Sequence, residues 1–506
     1  MKNFISKHET EAAYTSAQNA FDKPHVAFIE ELAGLADSVR YMEKPAPHNY
    51  SQDYLTFEAL EDTTFTFTTN ALQYSLDDGA TWTTLTANTA SPTITTGNKI
   101  LWKQTELTPG STGIGTFSAT GNFKATGNIM SLYYGDDFIE QTDLSGKNKA
   151  FYNLFKGNTY LVNTENLILP AIILTQTCYF CMFQNCTSLA KAPRILPATT
   201  LADSCYSMMF YGCTALTTAP ALPATTLAAA CYANMFQNCT SLTTAPALPD
   251  TTLAAACYES MFQGCTSLTT APALPATTLV NQCYSMMFYG CTSLTSASAL
   301  PATTLTSKCY NSMFNGCTSL TSAPALPATT LAEHCYAAMF NGCTSLTSAP
   351  ELLATTLAQE CYSSMFQGCT ALTSAPALPA TTLDQNCYAS MFYGCTSLTT
   401  APAILPATTL TRSCYTTMFW GCTALTTAPE LPATTLAENC YRNMFYGCTS
   451  LNYIKCLATN ISASNCTTTW VTNIAASGTF VKNASMSSWT TGNNGIPSGW
   501  TVQDAA

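Results

Sequence analysis

Cysteine is the residue type with the most chemical capacity in this chain, because the 506 residues include 25 cysteines but only four histidines. Thiols can form disulfides, bind metals or, as thiolates, attack electrophiles. Most of these cysteines form pairs eight residues apart, such as Cys231 and Cys239. On the short helix predicted below, that spacing is about 12 Å, whereas a disulfide joins α-carbons about 4.4–6.8 Å apart. The spacing therefore predicts reduced thiols packed in a core.

The polar residues do not form a catalytic or metal-binding pattern. Zinc sites use clustered cysteines and histidines, and Cys178 and Cys181 are the one Cys-x-x-Cys pair in the sequence. The histidines are His8, His25, His48 and His334. Three of them precede the repeated cysteines, which lack a histidine to activate them as nucleophiles. With no Gly-x-Ser-x-Gly or phosphate-binding loop, we expect no enzymatic activity, no cofactor and no metal.

A repeated unit positions these cysteines. Its pattern is Cys-Tyr-x-x-Met-Phe-x-Gly-Cys-Thr-Ser-Leu-Thr-x-Ala-Pro-x-Leu-Pro-Ala-Thr-Thr-Leu. The first cysteine of the unit falls at Cys178, Cys205, Cys231, Cys257, Cys283, Cys309, Cys335, Cys361, Cys387, Cys414 and Cys440. Eight of the ten intervals are 26 residues, and two are 27, where Ile195 and Ile404 add a residue. A fixed short period predicts a solenoid, in which each unit packs on its neighbours.

Each unit is predicted to contain one short helix and one short strand. Apolar residues such as Cys231, Met235 and Cys239 recur at every fourth position, which is typical of one helical face. Glycine or asparagine precedes the second cysteine in every unit, and these residues tolerate the left-handed conformation that ends a helix. Residues 242–249 then predict a short strand that proline prevents from lengthening. The tyrosine after the first cysteine is expected to be a packed rung of the core.

Four parts are predicted along the chain. Residues 1–50 form an N-terminal helix, a hairpin anchor and a linker, and residues 51–145 form a small all-β sandwich of short alternating strands. Residues 146–475 form a leucine-rich-repeat-type solenoid of about 13 turns with degenerate ends, and residues 476–506 form a C-terminal cap. The anchor is predicted to depend on Val26, Phe28, Ile29, Val39 and Tyr41.

Residues 75–82 resemble an Asp-box, a hairpin element of glycosidase propellers and other proteins. The matching residues are Ser75, Asp77, Gly79, Thr81 and Trp82. A propeller would need the element in every blade, but it occurs once in this sequence. A plain hairpin turn is therefore predicted here.

The repeat also carries a family resemblance. Its segment Met-Phe-x-Gly-Cys-Thr-Ser-Leu resembles the BspA-like leucine-rich repeats and related 26-residue surface-protein repeats over about residues 150–475. The resemblance implies a curved, right-handed solenoid, and many family members are bacterial surface proteins that bind host or partner proteins. The arrangement of β domain, repeats and the closing Gly-Trp-Thr-Val, together with residues 24–41, is similar to proteins encoded by gut Bacteroidales and their phages.

Comparison of the units with one another identifies a candidate recognition stripe. The residue before each conserved glycine or asparagine varies but stays aromatic or a large amide. These residues are Tyr211, Gln237, Gln263, Tyr289, Asn315, Asn341, Gln367, Tyr393, Trp420 and Tyr446. Such side chains suit contacts with a protein or a glycan. A solvated face that varies by drift is the alternative.

Two functional hypotheses follow, with a third left open. The first is a phage virion protein (a fibre, decoration or adhesion protein), made in the host cytoplasm without a signal peptide. It would dock to other virion proteins through its N-terminus and bind a host-surface protein or glycan through the solenoid. The second is a BspA-like adhesin on a bacterial surface, and the third a cytoplasmic scaffold. The net charge of −11 argues against a nucleic-acid partner. The sequence has no long apolar run that would predict a membrane span. Homo-oligomerisation stays open.

Overall fold

The computed structural model of the chain describes residues 4–5, 42–43, 48–68, 71–104, 113–248, 252–487 and 489–505. The chain divides into two compact units, Met1–Asn49 and Tyr50–Ala506. In the first unit, strand β1 (Phe4–Ile5) pairs antiparallel with β2 (Met42–Glu43). The predicted anchor residues lie outside the described ranges: Val26, Phe28, Ile29, Val39 and Tyr41. The anchor therefore stays a prediction.

The second unit begins with antiparallel strands whose alternate side chains build an aromatic core. These strands are β3 (Leu55–Ala59), β4 (Phe65–Phe67), β5 (Leu72–Ser75), β6 (Thr83–Leu85), β7 (Lys99–Lys103), β8 (Phe117–Ala119) and β9 (Phe123–Asn128). One sheet has the order β9-β3-β7-β5-β6, and β4 pairs with β8 in a second. Phe57 of the first sheet packs against Phe65 and Phe117 of the second, at centroid distances of 5.1 and 4.9 Å. The buried rings thus join the two sheets.

The sheet continues directly into the repeats. A short helix α1 (Ser131–Tyr134), flanked by the 3₁₀ turn Gly135–Asp137, leads on to β10 (Leu161–Asn163) and β11 (Leu167–Ile168). Both β10 and β11 pair parallel with β9. The Phe117 N–H also donates to the Leu154 carbonyl at 2.7 Å. The predicted boundary between residues 145 and 146 stays a prediction, and this sheet spans it.

The prediction of a helix in each repeat is wrong. We call the segment from one first cysteine to the next a coil. In the coil that begins at Cys205, the Met209 N–H donates to the Tyr206 carbonyl of the same coil at 3.2 Å, while the Tyr206 N–H donates to Cys231 of the next coil at 3.0 Å. This alternation repeats along the segment, and the left-handed Met208 (φ 56°) is one of a series at every fourth residue. The backbone is therefore a row of turns bonded to its neighbour.

Apolar spacing could not distinguish these two structures. In a row of four-residue turns, side chains at positions i and i+4 lie on the same side of the backbone. Residues with this spacing also lie on one face of an α-helix. The glycine or asparagine before the second cysteine is left-handed as expected, for example Asn238 at φ 61° and Gly264 at φ 71°. Asn238 is the last of three left-handed residues spaced four apart, after Ala230 and Asn234, and it does not end a helix. A left-handed L-residue costs about 1–2 kcal/mol, which the hydrogen bonds between coils offset.

The predicted strand in each repeat is reduced to single parallel bridges. Thr270 pairs with Ser296, and Ser374 pairs with Thr400. Among the described residues between β11 and β12 (Tyr453–Cys456), no continuous strand occurs. Prolines at Leu-Pro and Ala-Pro remove donors from this part of the coil, so a continuous ladder does not form.

Identical residues of successive coils form ladders inside the stack. Tyr232 stacks on Tyr258 at 5.8 Å, and Phe236 stacks on Phe262 at 5.7 Å, with planes within 5° of parallel. These tyrosines are buried, which confirms that they are rungs of the core. All 25 cysteines are free and buried. The second thiol of each pair bonds to a phenylalanine carbonyl of the preceding coil, as Cys343 does to Phe314 at 3.1 Å.

The last coil is covered by the C-terminal segment. Strands β12, β13 (Thr479–Lys482) and β14 (Thr501–Asp504) form a parallel sheet. Trp470 stacks on Trp489 at 5.8 Å, and its indole N–H donates to the Gly495 carbonyl at 2.9 Å. The Trp500 indole N–H donates to the Ala475 carbonyl at 2.8 Å. These contacts keep the end of the stack from water. The predicted boundaries at 50/51 and 475/476 stay predictions.

Candidate functional site

The row of turns gives each coil one partly exposed face, which we call the turn face. In the coil that begins at Cys387, residues 387–388 and 391–392 are buried pairs. The pairs that follow them, 389–390 and 393–394, are partly exposed. Because the coils repeat this pattern, equivalent residues line up in columns across the stack. The turn face is thus an ordered surface, and the residue types in its columns decide what it can bind.

The recognition stripe is one of these columns. Nine of its ten residues are half-buried, and Tyr289 is 37% exposed. The backbone carbonyl of each stripe residue accepts a hydrogen bond from the glycine or asparagine N–H of the preceding coil, as in Gly368 N–H to Tyr393 O at 2.7 Å. The structure therefore places all ten residues in one row with a fixed backbone, which limits the entropy lost when they bind a ligand.

Three aromatic stripe residues are brought into direct contact. The Tyr393 and Trp420 rings lie 5.6 Å apart, and the Trp420 and Tyr446 rings lie 4.2 Å apart. Their planes are inclined by 31° and 28°, so the rings cover one another's faces. Tyr211 and Tyr289 have amide residues as neighbours in the column and stand apart from this cluster.

Small residues lie beside the stripe. The two residues three and four positions before each stripe residue are mostly Ala, Ser or Thr. Several are buried, such as Ser207, Ser260, Ser285 and Ala337. Beyond them lies an outer column, two residues before each first cysteine, which is mainly exposed. The outer column consists of Asp203, Ala229, Ala255, Asn281, Ser307, Glu333, Gln359, Gln385, Arg412 and Glu438. The stripe and the outer column therefore lie on either side of a strip of mostly small residues, which also contains the exposed Arg442.

The charged residues of the turn face lie outside the stripe. His334 Nε2 lies 3.1 Å from Glu333 Oε1, and His334 Nδ1 lies 3.2 Å from Glu360 Oε2 in the next coil. Arg412 and Glu438 approach to 3.8 Å and are both exposed. Exposed pairs of this kind contribute little stability. They instead set the local charge of the outer column.

The thiols are poor nucleophiles in this environment. Burial raises the pKa of the Cys335 thiol, the one next to His334, to about 12. Burial likewise raises the pKa of Cys231 to about 12 and that of Cys181 to about 11. A thiolate is the reactive form. Protonated, enclosed thiols are therefore suited to packing and not to attack on a substrate.

The Asp-box resemblance corresponds to a hairpin turn between β5 and β6. The Asp77 carboxylate accepts hydrogen bonds from Ser75 Oγ at 2.7 Å and from the Thr81 N–H at 2.9 Å. Hydrogen bonds, chiefly from Thr81, lower the pKa of Asp77 to about 2. Trp82 packs over the Lys103 ammonium, 4.2 Å from the ring centroid, and Lys103 is buried beside Asp136 at 2.6 Å. These contacts hold the hairpin against the sheet.

Sequence reasoning missed one member of the stripe. Gln184 precedes Asn185 and Cys186 as the stripe residues precede Gly-Cys or Asn-Cys in later coils. Its side-chain oxygen is buried and lacks a hydrogen-bond partner among the described residues. The Gln-Asn-Cys spacing was the available signal. Hereafter the stripe includes Gln184.

The coils match a known repeat family. The profile of the BspA type leucine rich repeat region matches six copies, over residues 148–271, 232–373, 336–444 and 362–483. A leucine-rich repeat protein from Bacteroides ovatus, solved at 1.19 Å resolution, shares 17% identity, with a TM-score of 0.41, over 76% of this chain and 96% of that one. No curated protein matches the chain. In the described part of the chain, no helix is long and apolar enough to cross a membrane.

Proposed function

Because the chain belongs to the family with the BspA type leucine rich repeat region, we propose that it is a non-enzymatic binding protein that uses its recognition stripe. The repeats would act as a solenoid, with the β sheets as a sandwich-like domain at one end and residues 1–50 as the anchor. One observation carries the proposal: the stripe residues are aligned and their carbonyls are held by hydrogen bonds of 2.7–2.8 Å between coils. Side chains on so fixed a backbone are pre-organised for contact.

The test compares binding by two variants of the full chain. The labelled protein is applied to intact bacterial and epithelial cells, and bound protein is quantified against a variant carrying Tyr393→Ala, Trp420→Ala and Tyr446→Ala. We expect the variant to lose most of the binding, because aromatic clusters dominate binding energy. The outer-column variant Glu438→Ala serves as the matched control and should bind as the parent does. Equal binding by all three proteins would contradict the proposal.

We further propose that the protein is displayed on a phage particle, with a bacterial cell surface as the second location. The separate compact unit Met1–Asn49 favours an arrangement in which one part docks and the other is displayed. The family resemblance favours the cell surface equally. Mass spectrometry of gradient-purified phage particles beside the cell-envelope fraction separates the two. Near-stoichiometric peptides in particles support the virion, and enrichment in the envelope alone would exclude it.

A further inference from the structure

The start of the stack differs in charge from the rest of the chain. Residues 144–202 include five cationic residues and one acidic residue, although the whole chain has a net charge of −11. Two of the cations, Lys191 and Arg194, lie 3.4 and 3.5 Å from the single acid, Glu165. The other three form no ion pair with a described residue and are Lys147, Lys149 and Lys156.

Lys149 and Lys156 lie on the turn face. Residues 149–157 form a row of turns that precedes the first coil, and the Gly157 N–H donates to the Gln184 carbonyl of that coil at 2.7 Å. Lys156 therefore stands at the position that Gln184 holds one coil later. Lys149 has the left-handed backbone of the later turns, with φ 58°. Both lysines are exposed.

An aromatic pair accompanies the two lysines. Tyr152 stacks on Phe180 of the first coil at a centroid distance of 5.6 Å, with planes inclined by 8°, and both rings are half-buried. The Lys149 ammonium lies 5.6 Å from the Tyr152 centroid. Lys149, Tyr152, Lys156 and Phe180 form what we call the basic patch. In the later coils the position of the two rings holds Ser207, Ala233, Glu259, Ser285, Asn311, Ala337, Ser363, Ala389, Thr416 and Arg442.

The charges beyond the basic patch limit the length of a ligand. Acidic residues of the turn face begin in the next coil and outnumber its cations Lys308, Arg412 and Arg442; they are Asp203, Glu259, Glu333, Glu360 and Glu438. A long polyanion laid along the stack would meet like charges from Asp203 onwards. Charges more than about 8 Å apart are largely screened at physiological ionic strength. A short anionic ligand therefore responds to the local lysines and not to the net charge of the chain.

We infer that the basic patch binds a short acidic segment of a partner protein. Aspartate or glutamate side chains of the segment pair with Lys149 and Lys156, and an apolar side chain between them packs on Tyr152 and Phe180. Aromatic residues surrounded by polar groups are typical of protein interfaces. This surface is separate from the three-ring cluster of the stripe, so the inference goes beyond the proposed function.

The experiment measures peptide binding to the full chain by fluorescence anisotropy. The probe is a short labelled peptide of glutamate and leucine, and a peptide of lysine and leucine is its counterpart. We expect saturable binding of the glutamate peptide alone, weakened by added salt. Because exposed ion pairs contribute little, Lys149→Gln should weaken binding about twofold to fivefold, and adding Lys156→Gln should bring the loss to about tenfold.

Lys308→Gln is the matched control. Lys308 is exposed and left-handed like Lys149, with φ 57°, and stands directly before its first cysteine, but its coil has no ring at the Phe180 position. The substitution changes the net charge as Lys149→Gln does and should alter affinity by less than about twofold. Phe180→Ala introduces the residue found at Ala233 and should weaken binding about tenfold or more. Thermal unfolding of each variant shows whether the fold is intact.

Three outcomes would overturn the inference. The first is the absence of saturable binding by the glutamate peptide, and the second is an equal loss for Lys149→Gln and Lys308→Gln, which would be a general charge effect. The third is tighter binding of a single-stranded oligonucleotide or dextran sulfate, which would exclude a protein segment as the ligand. The variant with Tyr393→Ala, Trp420→Ala and Tyr446→Ala should bind the glutamate peptide as the parent does. Failure of the proposed function is thereby distinguished from failure of this inference.

Discussion

Removing one buried hydroxyl from the tyrosine ladder is expected to stabilise the protein. Tyr336 is 1% exposed, and its hydroxyl has no hydrogen-bond partner among the described residues. Its ring stacks on Tyr310 at 5.8 Å and on Tyr362 at 5.9 Å, contacts that phenylalanine can keep. An unpaired buried polar group costs about 1–3 kcal/mol. Tyr336→Phe should therefore raise the free energy of unfolding by about 1 kcal/mol.

The same substitution at a bonded tyrosine supplies the control. The Tyr133 hydroxyl donates to the Ala150 carbonyl at 2.8 Å. Tyr133→Phe should lower the free energy of unfolding by about 1 kcal/mol, the net value of a typical hydrogen bond. Guanidinium denaturation at unchanged m-value measures both shifts. Combining Tyr232→Phe, Tyr336→Phe and Tyr415→Phe, which lie at least three coils apart, should add the gains to about 3 kcal/mol.

A fall in stability for Tyr336→Phe as large as that for Tyr133→Phe would refute the reasoning. It would show that the Tyr336 hydroxyl is hydrogen-bonded in the folded protein. A change within error at Tyr336 and a fall at Tyr133 would show that the ring alone matters in the ladder. The sign of the difference between the two variants is therefore the decisive quantity.

Three further outcomes are expected. Because burial raises thiol pKa values, to about 12 for Cys231, iodoacetamide at mildly alkaline pH should label few cysteines in the folded protein and all of them after denaturation, as counted by mass spectrometry. Burial raises the pKa of Glu259 above its ordinary value of 4.5, because the buried environment favours the protonated carboxyl. The stability that this preference gives the folded state is lost as pH rises through the raised pKa. Glu259→Gln should accordingly raise the free energy of unfolding at neutral pH and change it less in acid, by denaturation at each pH. Deleting residues 309–334, one whole unit, should leave cooperative thermal unfolding and the circular dichroism per residue nearly unchanged, whereas deleting 309–321 should abolish cooperative unfolding.

Much of the interior of the coils could be predicted from the repeat period alone. Buried tyrosines such as Tyr232 and the reduced thiols followed from a 26-residue pattern in which identical residues must stack. The stripe could likewise be found, because comparison between units shows which positions vary. Gln184 was missed since its coil departs from the common sequence. Anchor residues such as Val26 and Tyr41 lie outside the described residues and stay predictions.

The sequence by itself determined which residues repeat and face inwards, since periodicity reports directly on burial. Only the tertiary structure decided the backbone conformation between Ser204 and Gly212 and in the equivalent segments. Apolar residues at i+4 fit a helix and a row of turns equally, and the difference lies in whether alternate N–H groups bond within the coil or to the next. That choice is made by the neighbouring coil, as in the bond from Tyr206 to Cys231. The spacing of apolar residues within one segment carries no information about a hydrogen-bond partner 25 residues away in the sequence.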